Sequence, residues 1–170
     1  LARLYPDGSL DLGFMPSFGA YTGIECIQVQ PDGKVLISGA FSTVNGLARN
    51  RTARLNTNGS VDLSFDPGIG PQPNGPGISP MYGMSIQQDG KIVITGAFDT
   101  YSGVPRDRIV RLYPDGTVDM DFDPGASLGY AHYVLVLANG SIAVSGLVPG
   151  SGQYPGYLAL LDANGAIVAG

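Results

Sequence analysis

Three pairs of opposite charge stand at one interval along the chain: Arg3 with Asp11, Arg54 with Asp62, and Arg111 with Asp119. A guanidinium and a carboxylate at a fixed spacing can serve two chemistries. In a cleft they polarise or bind a charged substrate; across a hairpin they form an ion-pair ladder. Other reactive groups are few. His132 is the only histidine and Glu25 the only glutamate. A lone imidazole between Tyr130, Ala131 and Tyr133 reads as a packed or rim residue rather than a general base. Cys26 is the only cysteine, which excludes an internal disulfide and a multi-cysteine metal site. In Ile24-Glu25-Cys26-Ile27 it reads as a small hydrophobe, with no neighbour to make it a thiolate.

The aspartates raise a metal question. Asp66-Pro67-Gly68 and Asp123-Pro124-Gly125 follow Asp62 and Asp119 at matching spacing, and carboxylates beside backbone carbonyls suit Ca²⁺. Asp before Pro-Gly is ordinary turn chemistry, which is the favoured reading. No metal or cofactor is expected. Ser38-Gly39 and Ser145-Gly146 end strands with no helix behind them, so no serine sits in a nucleophile elbow. The glycine-rich stretches lack the strand–loop–helix setting of a phosphate cradle. The expectation is a chain that is not an enzyme.

Two features are expected to face outward. Arg49-Asn50-Arg51 and Arg106-Asp107-Arg108 occupy one place in successive units. Arg49, Arg51, Arg106 and Arg108 could form a basic rim for an anionic sugar or phosphate, or bridge to the Asp-Pro-Gly loops of the next blade; the bridge is the favoured reading. The second feature is the Gly/Pro-rich stretch from Ile69 to Pro80, with Gln72 and Asn74, which neighbouring units lack. It reads either as a presented binding loop or as a tolerated insertion.

The elements that must position these residues repeat. Val29-Gln30-Pro31-Asp32-Gly33-Lys34-Val35-Leu36-Ile37-Ser38-Gly39-Ala40-Phe41 returns from Ile86 to Phe98, and degenerately from Val136 to Gly146. A second hairpin type begins at Ala2, Ala53, Val110 and Ala159. Pro-Asp-Gly turns give three-residue connections in which Gly supplies the positive φ. That count sets Tyr5 against Ser9, Leu4 against Leu10 and each Arg against its Asp. In the last copy both charges vanish together, leaving Leu160 opposite Val168, as a paired ladder predicts. Continuous apolar runs such as Val35-Leu36-Ile37, Ile92-Val93-Ile94 and Ile142-Ala143-Val144 predict strands covered on both faces. The second hairpins alternate, predicting half-exposed strands.

The fold expected is all-β: a propeller-like repeat array of four-stranded antiparallel blades, about three and a half units long. The runner-up is an open β-solenoid. The units run 1–23 (a half repeat), 24–79, 80–129 and 130–170 (a degenerate terminal copy). These residues resemble the delta-60 repeat, a bacterial and bacteriophage repeat classed as β-propeller-forming. The resemblance rests on Gln30 to Phe41 with Ala53 to Phe65, and on Gln87 to Phe98 with Val110 to Phe122. It implies large surface-exposed or secreted proteins and phage tail proteins, and no reaction. In the final unit Leu147 stands where Phe41 and Phe98 stood, which reads as a terminal cap.

With 14 acidic and 9 basic residues and a net charge of −5, the chain is a poor match to nucleic acid. No apolar run has membrane-spanning length, and no signal-peptide pattern opens the chain, which starts inside a repeat and reads as an excised piece. The function expected is a non-catalytic structural or attachment module of a larger extracellular, cell-surface or virion protein. Its partners would be other subunits or the remaining chain, a cell-surface glycan or protein receptor, or further copies of itself. The alternatives are a propeller enzyme of lactonase or lyase type, which would need acidic and His residues clustered at the inner strand ends, and an architectural spacer.

Overall fold

The computed structural model describes residues 1–19, 23–73, 79–125, 128–147 and 156–169. Every strand pairing is antiparallel, and no α-helix occurs among the described residues. The first large sheet contains β1 (Gly23–Val29), β2 (Val35–Ala40) and β5 (Thr52–Leu55), with the small hairpin β3 (Thr43–Val44) and β4 (Leu47–Ala48) between them in sequence. After β6 (Pro71–Gln72), a second sheet contains β7 (Met81–Ile86), β8 (Ile92–Gly96) and β11 (Ile109–Leu112). The short β9 (Thr100–Tyr101) pairs with both β10 (Val104–Pro105) and β6. The third sheet runs in the order β12 (Tyr130–Val136), β13 (Ile142–Leu147), β14 (Gly156–Leu161), β15 (Ile167–Ala169).

These are propeller blades. The edge strands β1, β7 and β12 neighbour one another, and each sheet extends outward from them. In the first two blades the fourth strand shrinks to one bridge, Leu55 with Val61 and Leu112 with Val118; the half unit keeps the same bridge as Leu4 with Leu10. The two repeated hairpin types each close on a three-residue turn. Tyr5 N–H donates to Ser9 O at 2.9 Å and Gly8 N–H to Tyr5 O at 2.9 Å, and Gly8 has a φ of 85°. The turn Asp then accepts from the amide two residues on, as Asp7 does from Ser9 at 2.9 Å.

The core lies between blades. Phe14 and Val44 pack on Val35, Ile37 and Leu55, between the half unit and the first sheet. Leu36 and Phe65 meet Met84, Ile92, Ile94 and Leu112. Val93, Ile109 and Phe122 meet Val134, Ile142, Val144 and Leu161. Successive residues of β2 and β8 therefore enter different cores, which is why those strands are apolar at every position.

Four expectations need correction. The strands β5 and β11 are buried at all four positions, not half-exposed, because the next blade covers their second face. Conversely Ala143 in β13 is half-exposed, since no blade packs on that face among the described residues. In the last hairpin Leu161 pairs with Ile167, but a register shift pairs Leu160 with Ala169 rather than Val168. With no Arg–Asp pair to hold the register, the bulge is tolerated. Finally, the stretch from Ile69 begins as strand: Pro71 and Gln72 pair with Tyr101 and Thr100.

Candidate functional site

The Arg–Asp residues build one repeated cluster. In the Asp-x-x-Phe segment one carboxylate oxygen accepts the amide two residues on: Asp11 from Gly13 at 2.8 Å, Asp62 from Ser64 at 3.0 Å, Asp119 from Asp121 at 3.1 Å. The tight turn brings the Phe beneath the guanidinium, whose carbon lies 4.7, 5.0 and 4.5 Å from the ring centres of Phe14, Phe65 and Phe122. The other carboxylate oxygen takes the Arg Nε–H, at 2.8 Å for Arg3–Asp11 and 2.7 Å for both Arg54–Asp62 and Arg111–Asp119. Each guanidinium also reaches the next unit. Arg3 donates to Thr57 O at 2.6 Å, Arg54 to Pro114 O at 2.7 Å, and Arg111 to Ala163 O.

Lysines complete the cluster. Lys34 Nζ lies 2.9 Å from Asp62, and Lys91 Nζ 3.0 Å from Asp119. Their signal was present in the sequence. Lys34 and Lys91 follow the two Asp-Gly turns, and Ser141 replaces them in the unit that also lacks the Arg and Asp. Burial pushes the Asp62 carboxyl up, but the bonds from Lys34, Ser64 and Arg54 outweigh it and hold the group below the usual carboxylate range. Asp119 is likewise lowered, by Lys91, Asp121 and Arg111 against the same desolvation. For Asp11 the Arg3 bond is the leading cause of a downward shift. These carboxylates stay ionised and fully engaged, so they are poorly suited to proton transfer.

The arginine rim does not assemble as a free surface. Arg106 is buried, donating to Pro105 O at 2.8 Å and to the carbonyls of Asp119 and Met120, both at 3.3 Å. Its carboxylate partner, Asp123 at 3.7 Å, belongs to its own unit rather than the next blade. Arg49 donates to its neighbour Ala48 O at 2.9 Å. Arg51 and Arg108 both occupy left-handed backbone, with φ of 62° and 64°. The Arg108 guanidinium sits 4.0 Å from the centre of the Tyr130 ring in the following blade. Gln72 uses its amide within the fold, donating to Gly70 O at 2.8 Å and accepting from Thr100 Oγ1 at 2.9 Å. Asn74 lies outside the described residues. Asp66 and Asp123 accept from the amides of Gly68 and Gly125, which is turn geometry. Burial pushes the Cys26 thiol up, away from thiolate.

Another constellation was missed in the sequence. Each innermost strand carries a β-bulge at the same repeat position, between Ile24 and Cys26, Met81 and Gly83, and Ala131 and Tyr133. The extra residues are Glu25, Tyr82 and His132. The only glutamate, a tyrosine and the only histidine therefore occupy equivalent places on three adjacent strands. Glu25 Oε2 accepts the Met81 N–H at 2.8 Å, and the Tyr82 and His132 rings lie 4.7 Å apart. Gly83 permits the approach: a Cβ there would stand 2.7 Å from Thr95 Oγ1 and 3.1 Å from His132 O. The signal that could have found the bulges is the Ser/Thr-Gly closing each second strand. Opposite the bulge, a side chain on Gly96 would stand 2.6 Å from Pro80 O, and on Gly39 or Gly146 it would meet the carbonyl of Gly23 or Tyr130.

Comparison with known proteins agrees on the fold. A family described as a domain of unknown function (DUF5122) beta-propeller matches residues 30–65 and 87–122. No curated protein matches this chain. Among solved structures, a gluconolactonase from Xanthomonas campestris superposes with a TM-score of 0.50 at 14% identity, covering 98% of this chain and 52% of that one. The chain thus spans about half the length of that gluconolactonase. A protein of unknown function from Bacteroides caccae matches at a TM-score of 0.43 and 13% identity, covering 98% of this chain and 72% of that one.

Proposed function

We propose that this chain of β-propeller repeats is a non-catalytic attachment or assembly module of a larger extracellular or virion protein. The observation that carries this reading is the repeated Arg–Asp–Phe cluster. It commits the strongest charges to holding blade against blade, and so builds a rigid scaffold rather than a reaction centre. Unit-specific residues are then what remains for recognition, as in other repeat arrays. The resemblance to the delta-60 repeat supports a bacterial cell-surface or bacteriophage tail setting. The partners are a surface glycan or protein receptor, and other subunits of the assembly. Labelled protein incubated with panels of bacterial cells tests it: saturable binding to a subset of cells is expected, and uniform absence of binding would remove the attachment reading.

A second reading is an enzyme. The Glu25, Tyr82 and His132 row supplies the acidic and imidazole groups that a propeller hydrolase would need at inner strand ends. The likeness to a gluconolactonase is one of fold, and brings lactone hydrolysis into the test panel. Turnover of a lactone that Glu25→Gln abolishes would replace the attachment reading with the enzymatic one.

A further inference from the structure

We infer that the bulge row of Glu25, Tyr82 and His132 is a binding site for a carbohydrate carrying vicinal hydroxyls. The proposal deepens the attachment reading by naming its ligand class and its residues. The argument begins with the contrast between scaffold and side chain. The bulge recurs in all three blades at one register, each time opposite the same glycine. The framework is constant, yet the residue it displays differs every time. If the bulge served only blade geometry, one small or apolar residue would do in each. Instead the units present a carboxylate, a phenol and an imidazole, two of them types found nowhere else in the chain.

The three stand on neighbouring strands and are reachable. Glu25 is exposed, while Tyr82 and His132 are half-buried. The Met81 amide fixes one Glu25 oxygen at 2.8 Å, orienting the carboxylate beside the residue that precedes Tyr82. The His132 carbonyl accepts from Thr95 Oγ1 at 3.0 Å, which anchors its bulge to the second blade. The Tyr82 ring rests against the imidazole at 4.7 Å with an interplanar angle of 58°, so each restricts the other. A rigid row of this kind loses little entropy on binding.

Its chemistry selects the ligand. A carboxylate accepts hydrogen bonds from two neighbouring hydroxyls at once, and charge-assisted bonds are the strong ones. The phenol and imidazole add a donor and an acceptor, and their rings offer an apolar face to the C–H side of a pyranose. The chain's net charge of −5 disfavours anionic ligands. No Lys or Arg belongs to the row, which leaves a phosphate or sulfate without a counter-charge there.

The single histidine makes the test direct, because its Cε1–H resonance in the intact protein is unique. The probes are the methyl glycosides of glucose, galactose, mannose and N-acetylglucosamine, titrated at millimolar concentration. A saturable shift of the His132 resonance with at least one of them is expected. Glu25→Gln keeps the shape and an acceptor for the Met81 amide, and should weaken that sugar about tenfold. Tyr82→Ala should weaken it too, whereas Ser60→Ala, on a distant turn, should not. No response to any of the four sugars, or full affinity in Glu25→Gln, would overturn the site. The attachment reading falls separately. Sugar binding without cell binding leaves the site standing and removes attachment; cell binding with a silent His132 removes the site and sends attachment elsewhere.

Discussion

The second and third blades are built from nearly the same strands, yet equivalent positions have opposite fates. Ile109 and Leu158 hold the same register, opposite Thr95 and Ser145, but Ile109 is 1% exposed and Leu158 68%. Val93 is buried where Ala143 is half-exposed. Arg111 is clamped between Asp119, Phe122 and Ala163, while Leu160 in its place has no such partners. The difference is whether another blade packs on that face among the described residues. A propeller strand has no fixed burial of its own; the neighbouring blade confers it, and the charged cluster belongs only where a next unit offers a turn carbonyl.

The sharpest way to break this comparison is to cut the clamp where it is buried. Side-chain exposure is 4% for Arg111 and 0% for Asp119, against 41% for Arg3. Arg111→Leu removes the buried guanidinium's bonds to Asp119 and Ala163 and its stacking on Phe122, leaving Asp119 to Lys91, and should cost roughly 3–5 kcal/mol in urea denaturation. Arg3→Leu should cost at most about 1 kcal/mol. Equal losses would mean that burial of the guanidinium does not set the strength of the clamp. Removing Asp62 together with Arg54 (Arg54→Leu with Asp62→Val) should recover part of the single-variant loss, and a double-mutant cycle with no coupling would disprove the pairing.

Truncation at the two equivalent aliphatic positions sharpens the contrast. Ile109→Ala should destabilise by about 2–5 kcal/mol, whereas Leu158→Ala should stay within about 0.5 kcal/mol. A large cost at Leu158 would show that its face is covered in solution.

Acid gives the smallest and most distributed effect. Asp62, Asp119 and Asp11 all titrate below the usual carboxylate range in the folded chain. A depressed folded pKa contributes stability that is present above the unfolded value near about 4, and is lost as pH falls below it toward the folded value. Melting temperature should therefore hold above that point and decline beneath it. The slope should be shallower when Arg54 and Asp62 are replaced together by Leu and Val. An unchanged slope would place the acid sensitivity elsewhere.

Much of this molecule was legible in its residues. Pro-Asp-Gly turns, the eight-residue Arg–Asp interval and the apolar runs are local patterns, and local geometry sets a hairpin register. The register of the first three second-type hairpins follows from them, as does the all-β repeat architecture. Other features depend on what lies across a blade boundary. Alternation in the second hairpins suggested exposure, yet Arg54, Asp62, Arg111 and Asp119 are buried because the following blade closes over them. Arg106 read as a bridge to the next blade's Asp-Pro-Gly loop, or else as a rim cation; it is buried, donates to the carbonyls of residues 119 and 120, and meets Asp123 of its own unit. Glu25 and His132, more than a hundred residues apart, join one row only because three bulged strands come side by side. A sequence states which hairpins form, since each is closed by its own turn. Which faces are covered, and which distant side chains meet, is decided by packing between units, where burial of apolar area is non-directional and leaves no local signature.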